Sequence, residues 1–226
     1  MLKGNMFVRL HQDCFKNANK KQNELYSNLT VLQMKIMLSM LAYANMINST
    51  NKNKSLITKF RVELIDIRKK GCLFENIKLS KNDFAETTSE IKHPYFESII
   101  ATKDAIEFKL NKMYVIEMNT AKCGYVYLKE LMKYRSINQI KMHLQVAYFR
   151  TYKIPFYFAV NFLNISKNQS RKDKIRAIKN IFKSLNIKNE CEYIFPKARE
   201  PKSNLHYNFV VKINDNSNCF DDNIFF

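Results

Sequence analysis

A helix that is apolar nearly all round leaves no face for water, so the rest of its domain must be built around it. Residues 29–47, "LTVLQMKIMLSMLAYANMI", predict such a helix over about 30–46. Thr30 followed by Gln33 has the capping-box spacing, in which a hydroxyl and an amide each satisfy a backbone N–H of the first turn. Gln33, Lys35 and Ser39 interrupt the apolar run, which reads as a core helix and not as a membrane span.

Around this helix the pattern alternates between helical and extended periods. Residues 1–27 read as a polar N-terminal arm with a short strand at "MFVRL", and "NSTNKNKS" (48–55) reads as a loop. "KFRVEL" alternates Phe60, Val62 and Leu64 with charged residues, the period of a half-buried strand. Ser80 with Asp83 marks a helix start near 81–91. "AIEFKL" and "MYVIEM", separated by "NK", suit a hairpin with a two-residue turn.

The second half repeats that order. Ile137, Ile140, Leu144, Ala147 and Tyr148 share one face and predict a helix over 137–151, ended by Pro155. "FYFAVNFLNIS" predicts a short extended piece and one or two helical turns. Ser170 with Asp173 opens a further helix, and "NECEYIF" and "LHYNFVVKI" read as a hairpin joined by "PKAREPKSN". The expectation is an α+β protein: an arm (1–27), a first domain (28–124), a second domain (125–214) and an acidic, apolar tail (215–226).

Composition excludes some classes. The chain is 46% hydrophobic and 13% aromatic over 226 residues, which is folded-protein composition. Only three Gly argue against glycine-rich phosphate loops, and no G-x-x-x-x-G-K-[ST] is present. Five widely spaced cysteines with no CxxC pair fit neither a disulfide framework nor a zinc knuckle. With no signal-peptide pattern at the N-terminus, a reducing, cytoplasmic setting is expected, with no membrane association and no cofactor or metal.

The formal net charge of +18 favours an anionic partner. Residues 1–120 carry 19 Lys+Arg against 12 Asp+Glu, and residues 121–214 carry 19 against 5. The excess peaks in "SRKDKIRAIKNIFKSL" (170–185), where Ile175, Ile178, Ile181, Phe182 and Leu185 form an apolar stripe. Arg171, Lys172, Lys174, Arg176, Lys179 and Lys183 fill most of the remainder. A solvated helix face ordinarily mixes both signs, yet Lys172–Arg176 and Lys179–Lys183 are like-charge i,i+4 pairs. An external anion would relieve that repulsion. Lys197, Arg199, Lys202, Ser203 and Asn204 supply a second basic cluster at the tip of the following hairpin. Phosphates call for cations, and base edges call for Arg, Lys, Asn or Gln. Double-stranded DNA is therefore the expected partner. Arg171, Lys172, Lys174 and Arg176 are expected at the groove and Lys179 and Lys183 at the phosphates. Lys197, Arg199, Lys202 and Asn204 are expected at the flanking backbone.

A basic helix followed by a basic hairpin is the winged-helix arrangement. Together with "YVYLKELMKYRSINQIKMHLQVAYFRTY" and the repeated element order, it makes residues 28–213 resemble the plasmid replication initiators with tandem winged helices. In that resemblance "SRKDKIRAIKNIFKSL" takes the place of the recognition helix and "YIFPKAREPKSNLHYNFVVKI" that of the wing. It implies binding to repeated origin sequences, dimerisation through the first unit, contact with host replication proteins, and most DNA contact through the second unit. A winged-helix transcription regulator has the same DNA-binding physics and stays open as an alternative.

A small basic nuclease or RNA-binding protein is the other alternative. His11, His93, His143 and His206 show no i,i+2 to i,i+4 pairing, and H-E-x-x-H is absent. His143 with Lys141 would be its acid–base pair, and "FYF" (156–158) its base-stacking platform. No nucleophile–base or metal-ligand spacing is visible, so no catalytic residue is expected.

Overall fold

The computed structural model describes residues 6–16, 20–26, 28–51, 55–68, 74, 77–120, 122–149, 151–185, 187–194 and 208–213. The protein is α+β with small antiparallel sheets, and it divides into two compact units, Met1–Lys133 and Tyr134–Phe226.

In the first unit, strand β1 (Phe7–His11) and the short helix α1 (Lys20–Leu25) precede the long helix α2 (Val31–Thr50). Next come β2 (Lys59–Glu63), α3 (Leu64–Arg68), α4 (Lys81–Ser89), β3 (Phe96–Ala101) and β4 (Ala105–Leu110). The unit closes with α5 (Lys112–Thr120), β5 (Cys123–Tyr127) and α6 (Leu128–Met132). Helix α2 is the expected core helix. The Thr30 hydroxyl accepts the Gln33 N–H at 3.2 Å, and Gln33 Oε1 accepts the Thr30 N–H at 3.0 Å. The polar residues that interrupt its apolar run are all hydrogen-bonded: Lys35 Nζ donates to the Met132 carbonyl at 2.8 Å and Ser39 Oγ to the Lys35 carbonyl at 2.8 Å.

The short strand expected in the arm is present: β1 pairs antiparallel with β5, Phe7 opposite Tyr127 and His11 opposite Cys123, and Val8 and Leu10 are wholly buried. Two other sequence expectations change here. Because β5 lies against β1, and α6 receives Lys35, the division between units falls at Lys133/Tyr134 and not at 124/125. "MYVIEM" is the helix α5 and not a hairpin strand. Asn111 Oδ1 accepts the Met113 N–H at 2.9 Å, the Asn111 carbonyl accepts the Val115 N–H at 3.1 Å, and Tyr114, Val115 and Met118 turn inward. Strand β4 already has partners on both edges, in the order β2-β4-β3.

The second unit runs α7 (Ile137–Tyr148), β6 (Thr151–Pro155), α8 (Phe156–Phe162), α9 (Arg171–Lys183), β7 (Asn189–Ile194) and β8 (Asn208–Ile213). Helix α7 stops at Tyr148, short of the expected 151, because Thr151–Pro155 is extended and pairs with β8, Tyr152 opposite Val211. Pro155 ends an edge strand, where a missing N–H leaves no ladder position unpaired, and "FYFAVNF" is helical from its first residue. The hairpin expected from "NECEYIF" and "LHYNFVVKI" is present, with Tyr193 opposite Phe209, and the sheet order is β6-β8-β7.

The two units thus share one plan. Each runs helix, strand, two helices, strand, strand: α2-β2-α3-α4-β3-β4 in the first and α7-β6-α8-α9-β7-β8 in the second. In each sheet the last strand lies between the other two.

Candidate nucleic-acid interface

Helix α9 is capped at both ends by its own neighbourhood. Ser170 Oγ accepts the Asp173 N–H at 3.2 Å and donates to Asp173 Oδ2 at 2.7 Å. At the other end Asn189 Nδ2 donates to the Phe182 carbonyl at 3.0 Å and to Ile187 at 2.8 Å. Gln139, from α7, donates to Ser184 Oγ at 3.0 Å. The expected apolar stripe faces inward: Ile178, Phe182 and Leu185 are buried, and Ile175 and Ile181 are half-buried.

The basic residues of α9 divide into two groups. Arg171 falls on the same side of the helix as Ile178 and Phe182, seven and eleven positions on, or about two and three turns. Its Nη2 donates to the Tyr193 hydroxyl at 3.2 Å, and its guanidinium sits 5.2 Å from the Phe156 ring centroid. Phe156, Tyr193 and Phe209 form an aromatic cluster with centroids 4.8–6.4 Å apart, so Arg171 ties the first turn of α9 to α8 and β7. Lys174 donates to the Lys167 carbonyl at 2.8 Å, closing the loop before the helix.

The opposite side is solvent-facing, and Arg171 is exposed as well. Lys172, Arg176, Asn180 and Lys183 are exposed at spacings of four, four and three. Arg176 Nη2 donates to Asp173 Oδ1 at 2.8 Å, and Asp173 is the one acid on α9. Lys179 is half-buried and close enough to Cys191 for its charge to oppose the rise, to about 12, that burial imposes on that thiol. Sequence reasoning passed over Asn180, although helical spacing from Lys172 and Arg176 reaches it. The expected wing residues Lys197, Arg199, Lys202 and Asn204, with Ser203, lie outside the described residues.

In the first unit α4 holds the position in the element order that α9 holds in the second. Its exposed residues include Lys81, Asp83 and Glu86, one base against two acids. Counted by unit, the charge is 22 Lys+Arg against 13 Asp+Glu in the first and 16 against 7 in the second, +9 each. What distinguishes the second unit is a shorter chain in which six of its 16 Lys and Arg lie on α9, three of them along its outer face.

The residues considered for catalysis lie inside the fold. His143 is buried with Nδ1 2.7 Å from the Tyr134 hydroxyl. Lys141 is buried, donates to the Phe162 carbonyl at 2.8 Å and lies 4.9 Å from that ring's centroid, and burial lowers its pKa. His93 is buried, with Nε2 2.9 Å from the Glu24 carbonyl and its pKa lowered to about 4 by burial. Of "FYF", Phe156 is core, Phe158 stacks on Phe162 at 5.2 Å, and Tyr157 is exposed. Among the described residues no group of three or more His, Cys, Asp or Glu is placed to hold a metal ion. Among them, too, no helix is long and apolar enough to cross a membrane.

No protein-family model matches the chain, and comparison with curated proteins finds no match.

Proposed function

We propose that this protein binds double-stranded DNA in a sequence-specific way through the second unit, with α9 as the helix that enters the major groove. On this reading both units are winged helices. The support is the element order helix-strand-helix-helix-strand-strand with the last strand central, present twice. The observation that carries the proposal is the outer face of α9: Lys172, Arg176 and Lys183 in one exposed line with a single acid beside them. Like charges at i,i+4 destabilise an isolated helix, and a polyanion along that line would turn the repulsion into attraction. Lys197, Arg199, Lys202 and Asn204 follow β7 in sequence, where a wing reaches the flanking backbone.

Two units of one plan with unlike helix faces favour a division of labour, the second unit on DNA and the first on a second copy or another protein. That is the organisation of a replication initiator acting on repeated origin sites in the cytoplasm. No catalytic residue is assigned, and the activity is binding.

The test is selection from a random duplex pool with the purified full chain at about 150 mM salt. Enrichment of one motif, with binding that weakens steeply as salt rises, supports the reading. Equal retention of all sequences, or no retention of duplex, overturns it. Loss of replication of a replicon carrying that motif when the gene is deleted distinguishes an initiator from a transcription regulator.

A further inference from the structure

Asn180 stands at the centre of the outer line of α9, on the side opposite Ile178 and Phe182. Asn is a poor helix former because its amide competes for the backbone. Mid-helix it therefore needs a reason. Three other asparagines of this unit have one: Asn138 donates to the Leu163 carbonyl at 2.8 Å, Asn189 fastens the end of α9, and Asn164 holds a left-handed φ of 51°. Asn161, exposed on α8, has none, but α8 carries no basic residue. The Asn180 side chain is exposed and makes no hydrogen bond among the described residues. Its amide adds nothing to electrostatic affinity, because it is neutral. What a neutral amide offers at the floor of a major groove is one donor and one acceptor side by side, the complement of adenine N7 and N6.

Its neighbours set the frame. Ser170 fixes Asp173, and Asp173 fixes one N–H of Arg176, which keeps further donors on a largely exposed guanidinium. Lys172 and Lys183 are eleven residues apart, about 16 Å along the axis. That exceeds the roughly 12 Å width of the major groove, so a helix lying across the groove would set the two lysines over its opposite phosphate walls. Arg176 and Asn180, between them, are four residues or about 6 Å apart. At about 3.4 Å per base pair this separates the bases they meet by about two base pairs.

We propose that Asn180 is a specificity-determining residue that reads an adenine, and that Arg176 reads a guanine about two base pairs away. The inference rests on the DNA-binding reading above.

The experiment is motif selection from a random duplex pool with the wild-type full chain and with the Asn180→Ala and Arg176→Ala variants, each first shown by thermal melting to be folded. Alanine is the better helix former, so Asn180→Ala is expected to melt no lower than wild type. The wild type is expected to enrich a motif holding guanine and adenine at that spacing. Asn180→Ala is expected to lose preference at the adenine, with affinity for the selected duplex falling about 5- to 150-fold and by less on random duplex. A wild type that enriches a motif while Asn180→Ala enriches the same one with the same preferences overturns this proposal and leaves DNA binding standing. A wild type that enriches nothing overturns both.

Discussion

Arg171 Nη2 donates to the Tyr193 hydroxyl at 3.2 Å, so the first basic residue of α9 is bound to the sheet behind the helix. With the Phe156 ring 5.2 Å away, this contact combines a hydrogen bond and a cation–π interaction. Arg171→Ala is expected to cost roughly 1–3 kcal/mol in stability. On DNA its loss should weaken selected and random duplexes in the same ratio. Urea denaturation and paired binding titrations check both. A relaxed preference at one base pair would return Arg171 to the groove.

Lys172 and Lys183 are expected to act on phosphates. Replacing either by Ala should weaken binding to all sequences alike and make the slope of log K against log salt shallower by about one unit. The double variant should show about two. Salt titrations by fluorescence anisotropy measure this, and an unchanged slope would place these lysines away from the DNA.

Ser170→Ala removes the side-chain acceptor of the Asp173 N–H and one of the groups fixing that carboxylate. The expected cost is about 1 kcal/mol, read from the urea midpoint, and Ser170→Thr, which keeps the hydroxyl, should restore much of it. A cost well under 0.5 kcal/mol would mean the cap is replaced by water.

His93 makes stability depend on pH. Its pKa is lowered to about 4 by burial, against 6.5 for the free side chain, while Nδ1 accepts the Tyr95 N–H at 3.2 Å. The folded pKa lies below the unfolded one. The unfolded chain therefore takes up the proton first, and stability present above about pH 6.5 is lost as pH falls toward 4. The loss is about 3 kcal/mol over that window. Equilibrium unfolding at pH 7, 5.5 and 4.5 should show it, and His93→Gln should flatten the dependence. An equally steep curve in the variant would assign the effect to other groups.

The local signals were legible because their physics is local. Thr30 with Gln33, Ser80 with Asp83 and Ser170 with Asp173 bond across one turn, so spacing alone locates three helix starts. The 3.6-residue stripe of α9 and the period-two alternation of β2 and β4 report faces that one core must bury. "MYVIEM" misled because Tyr, Val and Ile favour strands only where a neighbouring strand is present to pack against, and both edges of β4 were occupied.

By itself the sequence determined an α+β chain with a core helix at its first unit's centre, a basic amphipathic helix at 171–183 and a following hairpin. Those features depend on periodicity and on contacts within a few residues. Only the tertiary structure decided that Phe7–His11 belongs to a sheet with Cys123–Tyr127, and that the units part at Tyr134. It also tied Arg171 to Tyr193 by a hydrogen bond, while Arg171, Arg176 and Asn180 all stay exposed. Strand pairing joins segments more than a hundred residues apart, and a long guanidinium side chain goes wherever an aromatic face and a hydroxyl meet it. Neither is written in the spacing of neighbours along the chain.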